Sequence, residues 1–168
     1  CAGTVLSGDY PAYTDSRLIL PYLSPWEQGV DLPSDIGADE LHLRFWNWFN
    51  YSSYDSGQVQ ISVLDPNTSQ WGPWENVGSA VSSYSGGWSL KDVDLTVYAG
   101  QTVRLGFLHF ADRRPNSSYV SEGPGWFIDS IDVIRKVPVF TGDFEMGWMD
   151  WSSTTGVWQV GSARKARS

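Results

Sequence analysis

The chain has 168 residues, of which 41% are hydrophobic and 18% charged, so its composition is that of one folded domain with a full core. Its formal net charge of −8 opposes the basic surface that binding to nucleic acid or to an anionic membrane needs. No stretch approaches the roughly 18 consecutive apolar residues that span a bilayer, so no transmembrane segment is predicted. A single cysteine, Cys1, excludes an internal disulfide framework.

Runs of β-branched and aromatic residues recur along the chain between turn-forming residues, and no amphipathic helix is predicted. The run at 40–50 is apolar on both faces, which predicts a central strand. In residues 58–65 three apolar side chains alternate with polar ones, and Val59, Ile61 and Val63 are predicted to share one face. The other predicted strands are 16–22, 74–77, 88–95, 101–111 and 125–135. Short strands at this spacing predict an all-β, jelly-roll-type antiparallel sandwich.

The segment after Pro138 has a different pattern. Two apolar runs that contain tryptophan, separated by a Ser/Thr turn, are predicted to be two further strands, followed by a basic tail. The sequence therefore predicts two parts: residues 1–137 as an incomplete sandwich, and residues 138–168 as a linker with a strand-donating segment.

Three segments of the chain carry a family pattern. They are Asp15-Ser-Arg-Leu-Ile-Leu-Pro21, then 43–49 with 54–62, and then 93–105 with 125–133. In order and spacing they resemble the MAM-like jelly-roll modules of bacterial secreted and surface proteins, of the immune-inhibitor-A and gingipain-adhesin type. In those modules an F-E-x-G…W…G-x-W-x-V-G stretch comes first, whereas in this chain it stands at 144–161. The chain thus resembles one repeat cut out of phase.

The displaced stretch predicts how the chain is used. A sandwich of residues 1–137 without its first strands would expose an apolar groove and an unpaired sheet edge. The displaced segment either folds back on its own chain or completes the next subunit, and the second route gives a head-to-tail fibre of copies or successive repeats. An ordinary domain with an extra hairpin is the alternative. The predicted exchange residues are Phe144, Met146, Trp148, Trp151, Val157, Trp158 and Val160.

The same resemblance implies a structural Ca²⁺ ion. Asp129 and Glu145 would be ligands, with Asp15 and Asp143 as further candidates and backbone carbonyls completing the oxygen shell. Because Asp129 lies between apolar residues of a predicted strand, we expect its side chain to point partly inward, where a carboxylate needs a partner. The alternative is that Asp129 accepts backbone N–H groups and binds no metal.

Four aromatic residues near Pro- and Gly-rich turns, Trp71, Trp74, Tyr84 and Trp88, are candidates for a sugar-stacking surface. The favoured alternative is that they cap the core or fill an interface, where Trp and Tyr are enriched. Trp46 and Trp48 lie in the middle of a strand and are predicted to be in the core.

No motif for catalysis is present, since neither histidine stands in a metal-binding spacing and no nucleophile elbow or phosphate-binding loop occurs. The sequence predicts a non-catalytic, secreted or cell-surface protein with a structural or adhesive role, joined by strand exchange. The alternative is a module that binds carbohydrate or protein, such as a glycan or a host surface protein.

Overall fold

The computed structural model describes residues 1–20, 29–112 and 122–138. The chain divides into two units, Cys1–Lys136 and Val137–Ser168, and the two sheets below belong to the first unit. Ten strands occur within the described ranges, together with one 3₁₀ turn at Thr96–Tyr98. The strands are β1 (Ala2–Gly3), β2 (Asp15–Ile19), β3 (Val30–Asp31), β4 (Glu40–Asn50), β5 (Ser56–Asp65), β6 (Gln70–Trp71), β7 (Glu75–Asn76), β8 (Ser89–Asp94), β9 (Thr102–Phe110) and β10 (Gly125–Lys136).

These strands form two antiparallel sheets arranged as a sandwich. The four-stranded sheet has the order β1-β10-β4-β8, and the six-stranded sheet has the order β2-β9-β5-β6, with β3 paired to β9 and β7 to β5. The predicted all-β antiparallel sandwich is confirmed. In the described part of the chain, no helix is long and apolar enough to cross a membrane.

The long strands agree with the sequence pattern, whereas the shortest strands do not. The predicted central strand at 40–50 is confirmed, because β4 lies between β10 and β8. The other long strands differ from their predicted bounds by a few residues at most. Three strands, β1, β3 and β6, were not predicted, because a strand of two residues is too short to show alternation.

The core lies between the sheets and is aromatic at its centre. Phe45 of β4 packs edge-on against Phe107 of β9, with 5.0 Å between ring centroids, and Trp126 of β10 contacts both rings. The indole N–H of Trp126 donates to Oδ1 of Asn47, which is buried beside it. A Cβ atom at Gly57 would overlap the Trp126 ring, so this close packing requires glycine at position 57.

The predicted alternation in β5 is confirmed, since Val59 and Ile61 are buried in the core. The polar face of β5 is buried as well. Gln60 accepts from Nε of Arg17 and donates to Oδ1 of Asn76, each at 2.8 Å, and Ser62 donates to a backbone carbonyl. Side chains and backbone from neighbouring segments thus cover this face, and hydrogen bonds satisfy its buried polar groups.

Candidate functional site

A cavity lies where the edge strands of the two sheets face each other. β1 is the edge of the four-stranded sheet and β2 is an edge of the six-stranded sheet. The cavity has a volume of about 240 Å³. Its lining comes from β1, the turn after it, β2, β9 and β10: Ala2, Gly3, Thr4, Ser16, Arg17, Leu18, Phe107, His109, Trp126 and Ile128.

Leu18 lies at this edge, and its side chain is exposed although it points between the sheets. Leu18 is paired with Phe107, and directly opposed residues of an antiparallel pair point to the same face. Phe107 is buried in the core, so Leu18 points between the sheets as well, yet 47% of Leu18 is exposed. At this inward-facing leucine, the residues that the structure describes leave the core partly uncovered.

The backbone at the same edge offers hydrogen-bonding groups. Among the residues that the structure describes, β1 pairs only with Phe127 and Ile128 of β10. From Asp132 to Lys136, β10 is paired with β4, and the described residues include no strand on its other side. Within the same residues, β2 has a strand neighbour only on the β9 side. Such edges can accept a further strand.

A buried polar cluster lies beyond the ends of the strands, around Asp55. Its carboxylate accepts from the hydroxyls of Tyr10 and Ser52, both at 2.5 Å, and from the backbone N–H of Asp112 at 2.6 Å. Burial alone would raise the pKa of Asp55, but these hydrogen bonds outweigh it and hold the pKa below its ordinary value. Burial and the neighbouring Asp55 carboxylate raise the pKa of Glu122, which lies 3.2 Å from Ser52 Oγ.

His109 belongs to the same end of the core. It is buried, and its ring stacks on Tyr51 with an interplanar angle of 17°. Nδ1 lies 3.2 Å from the Tyr51 hydroxyl, and Nε2 lies 3.3 Å from Thr14 Oγ1. Burial lowers the pKa of His109, and the charge of Asp55 opposes this only in part. Because the Ser52 hydroxyl is bonded to Asp55 and not to His109, these residues do not form a nucleophile–base pair.

The predicted calcium ligands are only partly within the described residues. Asp129 stands at a bulge where the β10–β4 register shifts, and Ser130 has a φ of 51°. Asp129 is paired with Trp46, and its side chain is 55% exposed, so the expectation that it points partly inward is wrong. Its Oδ1 accepts the Ser130 N–H at 2.8 Å. Asp15 is exposed at the start of β2.

In residues 1–20, 29–112 and 122–138, no group of three or more His, Cys, Asp or Glu side chains is arranged to hold a metal ion. Asp143 and Glu145 lie outside those ranges, so the calcium set stays a prediction. The seven predicted exchange residues, from Phe144 to Val160, also lie outside the described residues.

The four predicted sugar-stacking aromatics fall on different sheets. Trp71 and Trp74 belong to the six-stranded side, where Arg104 lies over the Trp71 ring at 4.0 Å and Arg17 over the Trp74 ring at 4.5 Å. Tyr84 bridges to β4 of the other sheet, and Trp88 immediately precedes β8; both are exposed. Their role in ligand binding stays a prediction.

The outer face of the four-stranded sheet carries two tryptophans that the sequence analysis placed in the core. The prediction that Trp46 and Trp48 are in the core is wrong: Trp46 is 45% exposed and Trp48 is half-buried. Their neighbours Phe45 and Asn47 take the inward positions, and alternation places the two tryptophans outside.

Further along this face, His42, Asp92 and Lys136 form a charged network. His42 Nδ1 contacts an Asp92 carboxylate oxygen, and Lys136 donates to the other oxygen at 2.7 Å. Burial alone would raise the pKa of Asp92, but the hydrogen bonds from Lys136 and His42 lower it overall.

Comparison with known proteins adds no assignment. No protein-family model matches the chain, and no curated protein matches it.

Proposed function

We propose that this chain is a non-catalytic structural or adhesive subunit, or a repeat, of an extracellular fibre or surface assembly. Its open edge receives residues 144–161 of the next copy or repeat, which joins the units head to tail. The observation that carries the proposal is the edge cavity, where Leu18 points between the sheets and is still half exposed.

The edge has the two features that a donated strand needs. The cavity supplies an apolar surface from Leu18, Phe107, Trp126 and Ile128. The flanking strands β2 and β10 supply backbone groups for main-chain hydrogen bonds. Each large apolar side chain that such a strand buries contributes roughly 1.5–3 kcal/mol.

The sequence of residues 144–161 has the properties that a strand donated to the edge cavity needs. It contains Trp148, Trp151 and Trp158, whose side chains need burial, and it carries the pattern that opens the module in the family that the chain resembles. The eight residues 136–143 reach at most roughly 26 Å when extended, which is compatible with passage to a neighbouring unit. Because donor and acceptor surfaces differ, the contact is heterologous and generates open chains of subunits.

The resemblance further suggests that Ca²⁺ stabilises the joint. In that arrangement Asp129 comes from one unit and Glu145 from its neighbour, so the ion would hold the donated strand to the unit that accepts it. This part rests on the family pattern, and removal of calcium by a chelator tests it separately from the exchange itself.

Light scattering coupled to size-exclusion chromatography tests the proposal. We expect the full chain to form oligomers whose mass rises with concentration, and an excess of a synthetic peptide of residues 143–161 to reduce them to single chains. The matched control peptide carries Ser in place of Trp148, Trp151 and Trp158. A full chain that is monomeric at every concentration and that does not bind the peptide contradicts the proposal.

Deleting residues 139–168 gives a second readout. We expect the shortened chain to be less stable than the assembled full chain and to aggregate more readily, because the edge cavity has no donated strand to fill it. The 143–161 peptide should restore a folded, soluble chain. A shortened chain that is a stable monomer with an unchanged melting temperature also contradicts the proposal.

A further inference from the structure

A row of apolar side chains covers part of the outer face of the four-stranded sheet. Trp46 is directly opposite Leu90 of β8 on one side and Asp129 of β10 on the other, and Trp48 is opposite Phe127. Opposed residues share a face, so these side chains all point away from the core. The aromatic face is defined as Trp46, Trp48, Tyr84, Leu90 and Phe127.

Three rings of the aromatic face, those of Trp48, Tyr84 and Phe127, contact one another. The Trp48 ring meets Tyr84 at 6.1 Å and Phe127 at 5.5 Å between centroids, both edge-on. Phe127 in turn packs on β1, since a Cβ atom at Gly3 would come within 2.6 Å of its ring. Although Tyr84 is 59% exposed, its contact with Trp48 orients it. A surface with preset rings loses little conformational entropy when a ligand binds.

Polar side chains border the aromatic face next to Trp46. Asp129 is its direct neighbour, and Arg44 stands two positions before it on β4, opposite Asp92 and Asp132. Asp129, Arg44 and Asp92 each have between a third and three fifths of their side chains exposed. The surface therefore combines flat apolar rings with adjacent donors and acceptors, which is how ligand sites fix orientation as well as affinity.

We propose that the aromatic face binds a neutral oligosaccharide made of pyranose units. The C–H face of a pyranose packs on an indole ring, while its hydroxyl groups hydrogen-bond to the carboxylates and the guanidinium at the border. Trp46 and Trp48 are two residues apart on one strand, so their positions differ by roughly 7 Å along β4, which allows contact with consecutive sugars.

The net charge of the chain disfavours one class of occupant of this surface, the anionic one. The chain carries a net charge of −8, which disfavours anionic glycans and anionic membranes. The site is a sheet face and not the strand edge of the exchange proposed above, although Asp129 at its border is also a predicted calcium ligand.

Affinity electrophoresis and calorimetry with defined neutral glycans test this inference on the full chain. The probes are cellohexaose, xylohexaose and mannohexaose, with hexagalacturonate as the anionic control. We expect saturable binding of at least one neutral probe. Trp46→Ala should weaken it by roughly tenfold or more, the change that corresponds to losing a contact worth about 1.4 kcal/mol. The matched control is Phe110→Ala, an exposed aromatic at the end of β9 in the six-stranded sheet, which should bind like the wild type.

Each other outcome counts against the inference. Absence of binding to all three neutral probes overturns it, as does stronger binding of hexagalacturonate. Loss of binding in a further variant, Trp71→Ala, with retention in Trp46→Ala assigns the ligand to the predicted sugar-stacking residues of the other sheet. If Trp46→Ala changes only the mass of the particles in light scattering, the face joins copies of the chain and the inference is wrong. Thermal melting of the three variants checks that they are folded.

Discussion

Replacing Leu18 by Ala measures how far the edge cavity is filled when the units assemble. Complete burial of a leucine side chain contributes roughly 1.5–3 kcal/mol. Leu18 is 47% exposed in the unassembled unit, so the substitution should cost only about 1 kcal/mol in a single chain. Once a donated strand covers Leu18, the cost should approach the roughly 2–5 kcal/mol of a buried Leu→Ala change.

The matched control is Leu105→Ala, because Leu105 lies on β9 and is fully buried. It should cost roughly 2–5 kcal/mol whether or not the chain assembles. Equilibrium unfolding in urea, followed by tryptophan fluorescence, gives the free energy of unfolding at chain concentrations below and above assembly. The free energy of unfolding should fall further in Leu18→Ala at the higher concentration. A cost of about 1 kcal/mol at both concentrations would refute this reasoning.

Three further predictions concern the buried cluster and the metal. Asp55→Asn should lower the free energy of unfolding by about 2–3 kcal/mol, because a buried charged acceptor of the Tyr10 hydroxyl is lost; an unchanged urea midpoint contradicts this. Burial holds the pKa of His109 in the folded chain below its ordinary value of 6.5. As the pH falls below 6.5, the imidazole is therefore protonated in the unfolded chain at a higher pH than in the folded chain, and the free energy of unfolding should decrease. In His109→Gln, the free energy of unfolding should depend less on pH in this range. A pH dependence identical to that of the wild type argues against this prediction. A chelator should lower the melting temperature of the wild type but not of Asp129→Asn combined with Glu145→Gln; equal shifts contradict the calcium site.

The periodicity of the sequence was sufficient to predict the long strands, but it was insufficient to predict the shortest strands. Glu40–Asn50 has eleven residues, and its pattern indicated both its bounds and its central position. β1, β3 and β6 are two residues long, and their pairing depends on segments that are distant in sequence. Local pattern cannot encode such pairings.

On the outer face of the four-stranded sheet, the periodicity of the sequence predicted the direction of two side chains wrongly. Apolar residues on both sides of β4 predict burial on both sides, but the structure leaves Trp46 exposed. For Asp129, the predicted alternation runs through a bulge, and the extra residue at Ser130 changes the direction of the side chains. Neither the exposure of Trp46 nor the direction of the Asp129 side chain could be predicted from one strand alone, because both depend on the neighbouring parts of the sheet.

The polar cluster at Asp55 was not predicted from the sequence either. Asp55 lies within one of the segments that carry the family resemblance, but its partners Tyr10 and Asp112 are 45 and 57 residues away. No spacing rule connects three such positions. A run of Ser, Tyr and Asp at the end of a strand was the only local sign of a hydrogen-bonded turn.

Disulfide formation between separate chains tests the strand exchange most directly. Both partners carry Cys1→Ser, one with Leu18→Cys at the edge cavity and the other with Trp158→Cys in the donated segment. After mixing under mild oxidation, mass spectrometry should identify a covalent dimer linked from position 18 to position 158. Folded chains that yield no such dimer, while a single chain with both cysteines closes its own disulfide, would contradict exchange between subunits.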